Sequence, residues 1–200
     1  AFEPWLLGIA IKENKRVEEI SIRQKIHKPM NKGTVSDTFK IYTVTLFNQI
    51  LKHMDYIVSR LGNEDIESIG IHGPPAPDIQ MREIVNIDYQ QWIEQARSGL
   101  EQFKEFYPFG LSPPFPFPSR QWAEIVFTSL KAYRDADASH KEKIVAALTP
   151  IFQARVAAFA KDIEGLTYAQ AERMLDEQVS YFAKAKRILQ ASSPIESIDA

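Results

Sequence analysis

Apolar residues along most of this chain return every three or four positions, the signature of helices with one buried face. Near the start, Trp5, Leu6, Ile9 and Ala10 follow Pro4 at that spacing and predict a short helix, Pro4 suiting its first turn. Val17, Ile20 and Ile22 stand among charges over 16–22, too short and too β-branched for another helix, and predict a strand. A basic loop over 23–36 follows. From Asp37 onward Phe39, Tyr42, Leu46, Phe47, Ile50, Leu51, Met54, Ile57, Val58 and Leu61 keep a helical face, with Ser36 or Asp37 as N-cap and Gly62 as stop.

Glycine and proline over 70–78 exclude a continuing helix and predict an extended connection, a candidate boundary between subregions. A second long helix is expected from Asp88 to Tyr107-Pro108, its face marked by Tyr89, Trp92, Ile93, Ala96, Leu100, Phe103 and Phe106. The run Ser112-Pro-Pro-Phe-Pro-Phe-Pro118 favours polyproline II and reads as a rigid connector. Ser119 then caps a helix with Trp122, Ile125, Val126, Leu130 and Tyr133 inside. Ser139-His-Lys-Glu142 has capping-box form, Pro150 predicts a kink or a fresh start capped by Thr149, and Gly165 predicts a stop. Thr167-Tyr-Ala-Gln170 is a second capping box, opening a last helix with Tyr168, Ala171, Leu175, Val179, Phe182 and Leu189 inside; the tail over 191–200 is expected to fray.

The resulting class is mainly α, five or six helices plus one short strand. A lone strand cannot satisfy its own backbone polar groups, so it would complete a sheet belonging to sequence upstream of Ala1. No internal repeat has a fixed period.

Composition narrows the chemistry rather than the fold. Two hundred residues can bury a sizeable core. A net charge of −2 and a pI near 6.1 argue against a nucleic-acid binder, so any phosphate contact is local. With no cysteine, disulfides, thiolate metal sites and thiol nucleophiles are excluded, and a cytoplasmic location fits. The apolar run over 5–11 is too short to span a bilayer, and no membrane span is read. There is no phosphate-cradling glycine loop, nucleophile elbow or His-Glu-any-any-His.

The chemistry-bearing side chains gather in the first third. His27 lies in Lys25-Ile-His-Lys-Pro-Met-Asn-Lys-Gly33. Alone it reads as a loop histidine among solvated lysines; the functional alternative is a neutral imidazole on a divalent metal, beside Lys25 and Lys28 on a diphosphate. Glu3 reads as a first-turn acid favoured by the helix dipole, or as a carboxylate at a sheet end facing an acceptor. Trp5 is either core or a stacking platform for a sugar. Arg155, near the apolar stripe of its helix, is expected to snorkel or to pair with Glu124 or Asp135. His53, His72 and His140 have no ligand spacing.

Several stretches together resemble a known family. Glu3-Pro-Trp-Leu-Leu-Gly-Ile-Ala-Ile, Arg16-Val, Lys25-Ile-His27-Lys-Pro, Gly33, Asp37-Thr-Phe and Thr45-Leu-Phe47 resemble the end of the catalytic domain of bacterial family 2-like glycosyltransferases related to mannosylglycerate synthase. Trp122-Ala-Glu-Ile-Val-Phe and Leu148-Thr-Pro-Ile-Phe-Gln-Ala-Arg-Val-Ala-Ala-Phe159 resemble the same family's helical C-terminal region.

The resemblance implies that residues 1–36 end a GT-A α/β nucleotide-sugar domain and that 37–190 form a helical C-terminal domain. It implies a metal-dependent, retaining transfer from a nucleotide-sugar donor to a small hydroxylated acceptor. His27 would be a ligand of Mg or Mn, Lys25 and Lys28 would meet the diphosphate, and Glu3 and Trp5 would lie at the acceptor, Glu3 in the catalytic role. The nucleotide-binding βα units and the family's Asp-any-Asp metal motif are expected upstream of Ala1, so the chain alone would have little activity. The competing reading is a non-catalytic helical module whose aromatic faces bind a partner or close a homo-oligomer.

Overall fold

The computed structural model describes residues 5, 8–10, 12–13, 32–59, 89–104 and 118–190. Among them the protein is mainly α-helical and has no β-strand. The expected strand over 16–22, the Gly/Pro connection over 70–78, the Pro-Phe segment over 112–117 and the tail over 191–200 lie outside the described residues.

In chain order the helices are α1 (Lys32–Lys52), α2 (Met54–Ser59), α3 (Tyr89–Phe103), α4 (Ser119–Asp135), α5 (Ala138–Asp162) and α6 (Tyr168–Ala185), closed by a 3₁₀ turn over Lys186–Leu189. Helix α5 is the hub, packing on α1, α3 and α4, while α4 also carries α6 and the 3₁₀ turn. The core gathers Ile125, Leu130, Ile144, Leu148 and Ile151 from α4 and α5, Phe47 from α1, and Ile188 and Leu189 from the 3₁₀ turn. Each such side chain contributes about 1.5–3 kcal/mol when fully buried.

Aromatic residues tie the helices together. Phe39 stacks on Phe152 at 4.0 Å between ring centroids with 8° between planes, and Trp122 leans on the same Phe152 ring at 6.1 Å. Phe47 meets Tyr133 edge-on at 5.3 Å, and Tyr133 donates its hydroxyl to Asn48 Oδ1 at 3.3 Å. Buried hydroxyls on these helices are answered locally: Ser129 donates to the Ile125 carbonyl at 2.7 Å and Thr149 to the Val145 carbonyl at 2.8 Å.

Helix α5 does not break at Pro150. It runs through 25 residues as one element, and Thr149 back-bonds instead of capping a new helix. Proline removes one helical N–H and crowds the carbonyl four residues earlier, which ends most helices judged in isolation. Here the ring is received by Gly99 of α3, where an added Cβ would overlap Pro150 Cγ and lie 3.2 Å from Pro150 Cβ and 3.3 Å from the Ala147 carbonyl oxygen. Packing on both sides holds the helix through its weakest residue. Ala96 and Ile93 join Ala154 along the same seam, so small side chains let α3 and α5 approach closely.

Four other boundaries differ from the sequence reading. Helix α1 begins at Lys32, so residues 32–36 are helical rather than the end of a loop, and Ser36 does not cap: its hydroxyl oxygen accepts from Gln153 Nε2 of α5 at 2.7 Å. A turn at His53 separates α1 from α2, with the His53 N–H shared between the Gln49 and Ile50 carbonyls at 3.1 and 3.2 Å. Ser119 is the first residue of α4, not its cap, because Pro118 holds that place. Helix α5 is capped two residues before Ser139, by Asp137, whose carboxylate accepts from the His140 N–H at 2.8 Å.

The last helix follows its signals at the ends and departs from them in the middle. Gly165 adopts φ 78°, which glycine enters without strain, and stops the preceding helix. Thr167 and Gln170 form the full reciprocal capping box. Leu175 and Val179, expected inside, are 49% and 51% exposed. Ala171, Phe182 and Leu189 lie inside as expected, Phe182 against Phe127 at 6.1 Å between ring centroids, and between them the partly covered positions are Met174 and Gln178, each one residue before an exposed Leu175 or Val179.

By length and composition α5 could also cross a bilayer, with a mean hydropathy of 1.3 over its best 18-residue window, whereas the sequence reading finds no span. In this fold 61% of that window is buried against neighbouring helices, as for a core helix.

Candidate functional site

Of the residues singled out for chemistry, Glu3, Lys25, His27 and Lys28 lie outside the described residues. Trp5 is described: it is helical and 40% exposed. The short helical stretch that follows it is closed by a Glu13 N–H to Ile9 carbonyl bond of 2.9 Å, with Lys12 and Glu13 paired at 3.4 Å. This stretch lies against α1, since a Cβ added at Gly8 would be 4.0 Å from both Cβ and Oε1 of Gln49. Gln49 Oε1 is buried there and accepts no hydrogen bond among the described residues. The segment bearing Trp5 is thereby docked on the bundle with much of its indole open.

Among the described residues no three His, Asp or Glu side chains converge closely enough to hold an ion. One Asp-any-Asp tripeptide does occur in the chain, Asp135-Ala136-Asp137, at the corner between α4 and α5. Both carboxylates are engaged. Asp135 accepts from Arg134 Nε and Nη2 at 2.7 and 3.0 Å, and that bond holds its carboxyl below the usual range. Asp137 caps α5 and also meets His140 Nδ1 at 2.9 Å; the His140 backbone N–H, then its side chain, lower the Asp137 carboxyl. This corner is a helix cap by geometry.

The third feature is a buried cation. Arg155 on α5 is 5% exposed. Neither expected partner takes it: Glu124 pairs with Arg120 at 3.3 Å, and Asp135 with Arg134. Its Nη2 donates to Ser119 Oγ at 2.8 Å, its Nη1 faces Asp162 Oδ2 at 3.4 Å, and its guanidinium lies 5.8 Å from the Phe159 ring centre. Its Nε has no acceptor among the described residues.

Sequence reasoning missed this node because it sought the partner of Arg155 at Glu124 and Asp135 rather than along its own helix. Asp162 stands two turns beyond Arg155, on the same side of an uninterrupted helix. Ser119 was assigned to capping and so was not considered as a partner.

No family model, curated protein or solved structure matches this chain.

Proposed function

We propose that this chain is the C-terminal portion of a metal-dependent, retaining glycosyltransferase that moves a sugar from a nucleotide-sugar donor to a small hydroxylated acceptor. The observation that supports this reading is the placement of Trp5, partly open to solvent on a helical stretch seated on α1 at Gln49. An aromatic face held at the edge of a rigid bundle is suited to stack on a sugar or an acceptor. The helices in this reading shape the acceptor side, and their aromatic core keeps that edge rigid.

In the proposed site His27 would give an imidazole nitrogen to Mg or Mn, which when bound would supply positive charge for the departing diphosphate. Lys25 and Lys28 add positive charge at the same phosphates. Glu3 orients the acceptor hydroxyl, and Trp5 fixes the plane of the sugar.

Replacing Trp5 by Ala in the full-length protein should raise the acceptor KM with a smaller change in kcat, read from initial rates over an acceptor series. An unchanged KM would remove Trp5 from the site.

One observation favours the second reading, a helical interaction or oligomerisation module. Ile41 and Val44 on α1, and Leu175 and Val179 on α6, are exposed at helical spacing. Titration with manganese and nucleoside diphosphates, together with mass in solution, separates the two. Ligand response in a monomer supports the transferase; stoichiometric self-association without it supports the module.

A further inference from the structure

We propose that Gln49 on α1 is the positioning residue for Trp5, fixing by the length of its side chain where the indole stands at the edge of the bundle. Trp5 meets the sugar or the acceptor in the proposed transfer reading, on which this role rests. Gln49 touches neither and acts through the helical stretch that carries Trp5.

The link runs through Gly8. It follows Trp5 by three residues on the same helical stretch, and positions three apart on a helix share a face. A shift at Gly8 is therefore passed to Trp5 one turn away. A Cβ at Gly8 would lie 4.0 Å from both Cβ and Oε1 of Gln49, so the bare glycine backbone rests on the glutamine with about one methyl group of room.

Gln49 itself stands on a fixed part of α1. The two residues before it are held by Tyr133 of α4: Phe47 meets that ring at 5.3 Å, and Asn48 Oδ1 accepts from its hydroxyl at 3.3 Å. A support tied to the core in this way transmits the bundle's rigidity to the edge.

The contact is one of shape. Gln49 Oε1 is buried and accepts no hydrogen bond, so no polar link between that oxygen and the stretch sets the seat. An apolar side chain of the same length should hold the stretch as well as glutamine does, since it removes a buried acceptor that lacks a donor. A side chain cut back to Cβ should not.

The test uses the full-length protein and two readouts. Trp5 is 40% exposed while Trp92 and Trp122 are 2% and 8% exposed, so acrylamide quenching of the fluorescence lost in a Trp5→Phe counterpart reports on Trp5. Gln49→Ala should increase that quenching and raise the acceptor KM about fourfold, the scale of one buried methylene, with little change in kcat. Gln49→Met should restore both to the parent values. Quenching unchanged in folded Gln49→Ala, or altered equally by Ala and Met, overturns the role. So does a raised quenching with an unchanged KM where Trp5→Ala raises it. A KM indifferent to Trp5→Ala counts instead against the transfer reading, and quenching still decides whether Gln49 places the indole.

Discussion

Replacing Gly99 with alanine tests the α3/α5 seam, because the outcome has opposite signs with and without the packing described here. In an exposed helix interior the change adds about 1 kcal/mol of stability, the difference in helix propensity between the two residues. At this position the new methyl would overlap Pro150 Cγ and press on the Ala147 carbonyl at 3.3 Å. Neither neighbour yields easily, one being a ring and the other backbone within a helix. Overpacking of this kind costs about 1–3 kcal/mol or more, so G99A should be destabilised by a net ~1–2 kcal/mol.

Urea unfolding followed by far-UV circular dichroism measures the change as a lower midpoint at constant slope. The double variant G99A/P150A supplies the control. With the ring gone the methyl has room, and Gly99→Ala should then stabilise the P150A protein by up to about 1 kcal/mol. A G99A protein more stable than the parent would refute the close approach of α3 and α5.

Two further outcomes follow from the helix ends and faces. The Asp137 carboxyl is held below its usual range chiefly by the His140 backbone N–H, so its charged-cap contribution is present above the ordinary carboxylate pKa and lost as pH falls through the lowered one. Stability curves of the parent and Asp137→Ala should therefore run apart at neutral pH and converge in acid; a constant gap across that window would contradict the cap. Leu175→Lys with Val179→Lys should change unfolding free energy by no more than about 0.5 kcal/mol, since both side chains already face solvent. A loss of several kcal/mol would mean that this face is covered.

What the sequence revealed about the fold followed from local rules, and what it concealed depended on tertiary contacts. Thr167 and Gln170 satisfy each other within one turn, so their capping box was legible without knowing any neighbour. Gly165 was legible for the same reason. The fresh start expected at Pro150 does not occur, and the residue that accommodates the ring, Gly99, is distant in sequence. Ser139 was read as the cap because a Glu stands three residues on, yet it is Asp137 that reaches both the backbone and ring of His140.

The last helix was legible at Ala171 and Phe182 and misread at Leu175 and Val179, whose place the partly covered Met174 and Gln178 take one residue earlier. Of the candidate site, only Trp5 was placed by the described residues, on the edge of the bundle. The Arg155 node was missed because its partners are Asp162 on its own helix and Ser119, which the sequence had assigned to capping.

The proposed function needs His27, the residue proposed to hold the metal. Its direct test is the manganese dependence of sugar transfer by the full-length protein, parent against His27→Ala, with circular dichroism to show that both are folded. The account predicts transfer in the parent that rises with manganese and is abolished in the folded variant. Equal, manganese-dependent rates in both would contradict it.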